Sequence, residues 1–198
     1  LHREPAVALD VGALHLADVE RGVQARAHVV QDVGGQQAVL DLVVGRAREL
    51  GVPSVVVTFQ PHPLTLLRPG EAPVPLTHPR QREQLLAGLG VDYVLVIRFT
   101  PEVAATPARA FVREFLVERL AVRELFVGSR FVFGHRREGD LALLRELGQA
   151  YGFAAFGVDE VLQDGEAVSA SRIRRAIAEG RVEVATALLG RPYTVTGI

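Results

Sequence analysis

The sequence contains no cysteine, lysine, asparagine or methionine. The absence of cysteine excludes disulfide bonds, thiolate metal sites and cysteine nucleophiles. All 22 basic residues are therefore arginine, and they nearly balance 23 acidic residues, which leaves a formal net charge of -1. A chain with so little net charge lacks the excess of positive charge that drives binding to phosphate backbones. We therefore expect no nucleic-acid partner.

Long apolar runs are also missing, since no stretch approaches the ~20 residues that a membrane-spanning helix needs. The opening residues His2, Arg3 and Glu4 are not followed by the apolar region of a secretory signal. We therefore expect no membrane partner and a cytoplasmic location. The 198 residues, 48% of them hydrophobic and 23% charged, predict an ordered chain of one domain, or one domain and part of another.

Short apolar runs alternate with helical patterns along most of the chain. The runs that predict buried strands are Ser54–Phe59, Tyr93–Phe99, Leu125–Gly128 and Phe153–Val158, preceded by the strand-like stretches AVALDV and RAHVV. The patterns that predict helices are Gln37–Leu50, Pro79–Leu89, a segment after Thr106 and Pro107, Leu141–Tyr151, a segment from Ser169 or Ser171 to Glu179, and Glu183–Leu189. Continuous apolar runs of this length are typical of parallel strands covered on both faces. The alternation predicts an α/β fold with right-handed crossovers.

A pair of glycines, Gly34 and Gly35, lies between a strand-like stretch and the first helical pattern. A strand, a glycine turn and a helix start in this order are typical of a turn that faces a phosphate. Adjacent glycines also occur in ordinary turns, so both interpretations stay open.

The segment VTFQPHP places His62 between two prolines just beyond a predicted strand. In open α/β sheets, ligands bind beyond the carboxyl ends of the strands, and proline restricts the local backbone. His62 is therefore a candidate binding residue. A rigid loop with an incidental histidine is the alternative.

The segment VGSRFVFGHRREGD follows a second strand. Phe131 and Phe133 alternate, so an extended backbone would point both rings to one side, where they form a wall for a planar ring or part of the core. Arg136 and Arg137 add positive charge near this strand end, or lie on an ordinary solvated surface.

The segment VSASRIR places the hydroxyls of Ser169 and Ser171 at a predicted helix start, where free N–H groups and the helix dipole favour an anion. Arg172, Arg174 and Arg175 add guanidinium groups that match phosphate oxygens. A capped helix with arginines facing solvent is the alternative.

Together these segments resemble the N-terminal FMN adenylyltransferase module of the bacterial bifunctional riboflavin kinase/FAD synthetases. The resemblance is carried by VVVTFQPHP, by LFVGSRFVFGHRREGD and by VSASRIRRAIAEGRVEVATALLGRPY, in the family's order and spacing from about Gly35 to Ile198. It implies a doubly wound parallel sheet of the nucleotidyltransferase, Rossmann-like type.

The resemblance also implies the reaction, in which AMP passes from ATP to FMN to give FAD and pyrophosphate, with Mg²⁺ accompanying ATP. It implies catalytic roles for Ser171 and Arg174. It implies ATP contacts from Gly35, Gln36, Ser169, Ser171 and Arg174. It implies flavin contacts from Phe59, Gln60, His62, Pro63, Arg130, Phe131 and Phe133, and no metal ligand is assigned. Residues 1–189 would form the adenylyltransferase-like domain, and residues 190–198 would begin a riboflavin kinase module whose own activity is absent from this chain.

The chain departs from the family pattern where the family contacts ATP and metal. The family's H-x-G-H motif is absent, and its histidine positions fall on Val33 and Gln36. Gln60 replaces a carboxylate, Arg130 replaces Asp or Asn, and Ala170 replaces a serine. Gln60 supplies no charge for magnesium, which prefers carboxylates. These departures leave three alternatives: an adenylyltransferase with weakened activity, an inactive paralogue that binds flavin or nucleotide, and a nucleotidyltransferase with a different acceptor.

Overall fold

The computed structural model describes residues 7–10, 26–29 and 37–195. The strands of the main sheet are β1 (Val7–Asp10), β2 (Arg26–Val29), β3 (Ser54–Gln60), β4 (Tyr93–Arg98), β5 (Glu124–Gly128) and β6 (Ala154–Val158). A separate antiparallel hairpin follows, made of β7 (Leu162–Gln163) and β8 (Glu166–Ala167).

The helices are α1 (Gln37–Leu50), α2 (Pro63–Leu67), α3 (Pro79–Gly88), α4 (Pro101–Ala104), α5 (Ala108–Phe111), α6 (Leu141–Tyr151), α7 (Ala170–Ala178) and α8 (Val182–Leu189). Helix α5 continues into a wider π-type helix over Val112–Arg119.

The main sheet has the order β1-β4-β3-β2-β5-β6, and every neighbouring pair is parallel. From β2 the chain winds outwards through β3 to β4, and it then crosses back to β5 and β6 on the other side of β2. The winding direction therefore reverses between β2 and β5, which is the place where open α/β sheets bind ligands. The α/β fold and the doubly wound parallel sheet are both confirmed.

Helices cover both faces of the sheet. On one face, Val57 of β3 and Leu125 of β5 are fully buried against the π-type helix and α6, in a cluster that includes Leu116 and Leu144. On the other face, a second cluster joins strands β3 and β4 to helices α1 and α3 through Leu40, Val44, Val56, Leu86, Val91 and Val94. Burial on both faces explains why β3 and β5 are nearly continuous apolar runs. The prediction of a buried strand was wrong for β6, which lies at the edge of the sheet and whose residues are exposed or half-buried.

Local capping explains why two helices have the predicted bounds. The side chain of Asp140 accepts a hydrogen bond from the Leu143 N–H at 2.8 Å, and α6 ends at Gly152, which has φ 81°. Helix α1 likewise stops before Gly51, at φ 65°. Glycine adopts positive φ without a steric penalty, so both ends are encoded locally.

Several predicted boundaries differ from the observed ones by a residue. Strand β4 ends at Arg98 instead of Phe99, and helix α8 begins at Val182 instead of Glu183. Of the two candidate caps for α7, Ser169 and Ser171, the structure uses Ser169, whose hydroxyl accepts a hydrogen bond from the Arg172 N–H at 3.2 Å. The short helices α2 and α4 and the β7–β8 hairpin were not predicted, because one turn of helix leaves too little periodicity in the sequence.

The last described residues pack on this domain. Tyr193 lies against a third apolar cluster made of Leu76, Ile173, Leu188 and Leu189, and Gln81 Nε2 donates to the Thr194 carbonyl at 3.4 Å. Among the described residues, none of the helices is both long and apolar enough to cross a membrane.

Replacing two helical glycines with alanine should have opposite effects on stability. A Cβ on Gly148 in α6 would lie 2.4 Å from the Phe153 carbonyl oxygen, whereas a Cβ on Gly45 in α1 would meet nothing within 4 Å. We expect Gly148→Ala to lower the free energy of unfolding by roughly 1–3 kcal/mol through overpacking. Gly45→Ala should raise it by up to about 1 kcal/mol, because alanine favours the helix. Urea unfolding of both variants checks this, and equal stabilities would contradict it.

Candidate functional site

The carboxyl ends of three neighbouring or near-neighbouring strands supply aromatic side chains to one edge of the sheet. Phe59 lies near the end of β3, and Phe99 follows β4 with its ring centroid 5.6 Å from that of Phe59. The Phe99 N–H donates to the Gln60 carbonyl at 2.9 Å, which extends the strand pairing past β4. Phe131 follows β5 after a short turn. Residues far apart in sequence therefore meet at one place.

A cavity of about 810 Å³ opens at this edge. Its volume lies within the usual range of small-molecule sites, about 300–1,000 Å³. The predicted flavin contacts that line it are Phe59, His62, Pro63, Arg130, Phe131 and Phe133. The other described residues that line it are Leu64, Leu66, Leu67, Phe99, Pro101, Val103, Ala104, Ala105, Phe111, Val132, Gly134, His135, Arg136 and Arg137.

Stacked rings form one wall of the cavity. The rings of Phe131 and Phe133 are nearly parallel, with centroids 5.7 Å apart and 13° between their planes. Phe111 continues the wall, with its centroid 6.0 Å from that of Phe133 and 6.1 Å from that of Phe59. Phe131 and Phe133 are half-buried and also pack against the core. These two rings therefore line the cavity and also belong to the edge of the core.

His62 is fixed by the helix that it starts. Its Nδ1 accepts a hydrogen bond from the Leu64 N–H at 3.2 Å, and Pro63 occupies the first position of α2. Because Nδ1 is an acceptor here, the neutral ring carries its proton on Nε2. The imidazole is thus held in place by the local backbone and lines the cavity.

A tightly held loop, which directly follows Phe133, forms part of the rim. The backbone at Gly134 has φ 75°, and a Cβ there would lie 2.6 Å from the Ala108 Cα. A carboxylate oxygen of Glu138 accepts from the Ala108 N–H at 2.7 Å, and the His135 N–H donates to the Thr106 carbonyl at 2.9 Å. These contacts clamp the loop against the start of α5, so its geometry is preorganised.

The charge on the cavity lining is of one sign. Arg130, Arg136 and Arg137 line the cavity, and no aspartate or glutamate is among the described lining residues. Glu102 lies on α4 at the border, where a hydrogen bond with the Thr100 side chain lowers its pKa and keeps it ionised. An apolar cavity with a cationic rim suits a planar molecule that carries an anionic tail.

Sequence reasoning missed part of this lining. Phe99 lies at the end of a predicted strand, and the strand-end rule that selects His62 would have selected it. Phe111 belongs to a helix, and nothing in the sequence indicates that it also forms part of the cavity wall. Gln60, predicted to contact flavin, is exposed at the end of β3 and is not among the described lining residues.

The predicted nucleotide contacts at the start of α7 have two different environments. Ser169 is committed to capping the helix, whereas Ser171 is exposed. Arg174 Nε donates to the Val74 carbonyl at 2.6 Å, so this guanidinium holds the loop after α2. Arg172 bonds the β7–β8 hairpin through the carbonyls of Gln163 and Glu166 at 3.0 Å and 3.2 Å.

The other predicted nucleotide contacts, Gly35 and Gln36, lie outside the described residues, as does the predicted Gly34–Gly35 turn. Among the described residues, no group of three or more His, Asp or Glu side chains is placed to hold a metal ion.

Comparison with known proteins gives matches that span most of the chain. The family model described as FAD synthetase matches residues 34–172. The bifunctional riboflavin kinase/FMN adenylyltransferase of Escherichia coli K12 is 37% identical over 163 residues, which cover 82% of this chain and 52% of that protein. The protein of the same name from Pseudomonas fluorescens is 40% identical over 163 residues, with the same coverage of 82% and 52%. The chain therefore spans about half the length of the curated relatives that it matches.

A solved structure supports the fold. The crystal structure of a macrolide-efflux protein from Streptococcus pneumoniae superposes with a TM-score of 0.78, covering 94% of this chain and 60% of that one. Its sequence is 22% identical, so the likeness concerns the fold alone.

Proposed function

The chain belongs to the FAD synthetase family, and on that premise we propose that it transfers AMP from ATP to FMN, giving FAD and pyrophosphate. The relatives bear the name riboflavin kinase/FMN adenylyltransferase, and the match includes the segments around His62, Phe131 and Ser171. The family relation makes this reaction the first to test.

The observation that carries the proposal is the cavity at the carboxyl edge of the sheet. Two sequence segments separated by more than sixty residues, around His62 and around Phe131, contribute to the same lining. The aromatic wall offers a flat apolar surface, and the rim offers positive charge. An isoalloxazine ring on the wall with its phosphate tail at the rim uses both properties.

The proposed chemistry is a single in-line displacement. An oxygen of the FMN phosphate forms a bond to the α-phosphorus of ATP, the bond from that phosphorus to the bridging oxygen breaks, and pyrophosphate leaves with the electron pair. No covalent enzyme intermediate is needed, so the protein contributes by placing the two phosphates and by stabilising the charge that develops. This accords with a lining that positions groups and carries positive charge.

We assign the nucleotide side of the reaction to the start of α7, with Ser171 and Arg174 as catalytic contacts and Ser169 beside them. The exposed Ser171 hydroxyl lies where the first N–H groups of a nine-residue helix have no intrahelical acceptor. Gly35 and Gln36 complete the proposed ATP contacts. Mg²⁺ is proposed to enter bound to the ATP phosphates, as part of the substrate. We also propose a cytoplasmic location, because the reaction requires ATP.

We propose residues 1–189 as the adenylyltransferase domain and residues 190–198 as the beginning of a riboflavin kinase module. The support is that the relatives, which carry both activities in their name, match this chain over only 52% of their length. The rest of such a module would follow residue 198 in a longer chain.

Purified chain incubated with ATP, FMN and MgCl₂ should release FAD and pyrophosphate in equal amounts. Chromatography measures FAD, and a coupled assay measures pyrophosphate. Riboflavin in place of FMN should yield no FAD, because it lacks the attacking phosphate. A mock preparation from cells without the gene controls for host enzyme, and FMN binding with no FAD above that control would overturn the proposal.

A further inference from the structure

Two guanidinium groups on the cavity rim have no ion-pair partner among the described residues. Arg136 and Arg137 are exposed, line the cavity and form no salt bridge or side-chain hydrogen bond within that part of the chain. Some other exposed arginines of the described residues are paired, as Arg109 is with Glu146 at 2.8 Å. The rim therefore presents two unneutralised cations next to an apolar cavity.

The backbone beneath these two arginines is strained. Arg136 and Arg137 have φ values of 53° and 61°, in the left-handed region that glycine adopts more easily than any other residue. The clamp described above, from Glu138 to the Ala108 N–H, holds the loop in this shape. Strained backbone of this kind occurs at binding sites, where the surrounding structure fixes it. Here it fixes the direction in which two long cationic side chains leave the chain.

The third rim cation, Arg130, has a partner that a ligand can replace. It forms an ion pair with Glu160, which follows β6, and the two side chains are 77% and 47% exposed. Exposed pairs of this kind are worth little, because water and salt screen both charges. A phosphate group carries more charge than a carboxylate and accepts two parallel guanidinium hydrogen bonds. Phosphate should therefore displace Glu160 from Arg130.

We propose that Arg130, Arg136 and Arg137 select acceptors that carry a phosphate group, and that Glu160 competes with this phosphate for Arg130. The inference rests on the proposed function in taking the cavity as the flavin site. It goes further by naming the residues that separate a phosphorylated flavin from an unphosphorylated one, and a carboxylate that opposes binding.

The test measures binding of FMN and of riboflavin to the full chain by flavin fluorescence. The variant R136G/R137G loses both charges. Because glycine adopts the left-handed backbone of these two positions without strain, the protein should still fold. We expect its Kd for FMN to rise at least tenfold and its Kd for riboflavin to change less than twofold. R136K/R137K, which keeps the charges, should recover part of the FMN affinity. The control Arg109→Ala, outside the cavity, should change neither Kd.

The variant Glu160→Gln tests the competition. Its Kd for FMN should fall two- to fivefold at low ionic strength, and the gain should shrink in 0.5 M salt because screening weakens both interactions. Riboflavin binding should not change. Glu146→Gln, which removes a carboxylate from an exposed pair elsewhere, is the matched control.

Three outcomes would overturn the inference. They are an equal loss of FMN and riboflavin affinity in R136G/R137G, no recovery with lysine, and unchanged FMN affinity in Glu160→Gln. These binding results are separate from FAD formation. If the wild-type chain makes FAD but the variants keep its preference for FMN over riboflavin, only the inference is refuted. A chain that prefers FMN through these arginines but makes no FAD refutes only the proposed reaction.

Discussion

Replacing Phe131 with alanine is expected to lower kcat/KM for FMN by about ten- to a hundredfold while the protein stays folded. Phe131 belongs to the stacked wall, with its ring nearly parallel to that of Phe133. Stacking of a planar base on an aromatic side chain is worth about 1–3 kcal/mol, and each 1.4 kcal/mol is a factor of ten. A flavin ring offers a π-surface of the same kind, so Phe131→Ala should lose most of this stacking free energy.

The stability of the variant should change much less than its activity. The Phe131 ring is only half-buried, so its removal leaves a widened cavity open to water rather than an enclosed void. The steady-state rate of FAD formation at varied FMN concentration measures the effect, and thermal unfolding measures the stability.

Phe156 provides a matched control for this prediction. Its ring is stacked on Phe126 with centroids 5.0 Å apart and is 40% exposed, but it is not among the described residues that line the cavity. Phe156→Ala removes the same side chain from a similar stack and should leave kcat/KM for FMN within a factor of two. Equal losses in the two variants would mean that the stack at Phe131 is structural only.

The largest expected effect on stability is that of Leu125→Ala. Leu125 lies in β5, between β2 and β6, and its side chain is fully buried in the larger apolar cluster. Removing such a side chain costs the transfer free energy of its methyl groups and leaves a cavity, for a total of about 2–5 kcal/mol. Domains of this size are stable by only about 5–15 kcal/mol, so the variant should unfold at much lower denaturant concentration.

Leu162→Ala is the control for this prediction. Leu162 lies in the β7–β8 hairpin and is 65% exposed, so its truncation should change the free energy of unfolding by less than about 0.5 kcal/mol. Urea unfolding followed by circular dichroism compares the two variants. A loss below about 1 kcal/mol in Leu125→Ala would show that the core around β5 relaxes to fill the space.

The elements that the sequence predicted correctly are those with local signals. Helices α1 and α6 have the predicted bounds because each has a periodic apolar face and a glycine just after its last residue, and α6 also has the Asp140 cap at its start. Strands β3 to β5 were found because their burial in the sheet makes each of them a continuous apolar run, whereas the edge strand β6 was found by its apolar composition although its residues are exposed or half-buried. The shorter helices α2 and α4 were missed, since a single turn carries no period.

The candidate site was predicted only in part, and the reason is physical. His62, Phe131 and Phe133 were selected because each follows a strand, and a position beyond a strand end depends on local sequence alone. Gln60 was taken from the family resemblance, yet its side chain is exposed at the strand end and it is not among the described lining residues. Which side of the backbone faces the cavity depends on the neighbouring strand and on the loop packed against it.

The sequence by itself determined the fold class, most elements and the family, because periodicity, caps and motif spacing are properties of neighbouring residues. Only the tertiary structure decided that Phe59, Phe111 and Phe133 share one wall, and that Arg130 is paired with Glu160. It also decided that Arg174 holds a carbonyl a hundred residues away, at Val74. Such contacts depend on the order of strands in the sheet, which results from burying all apolar faces together and which no single segment encodes.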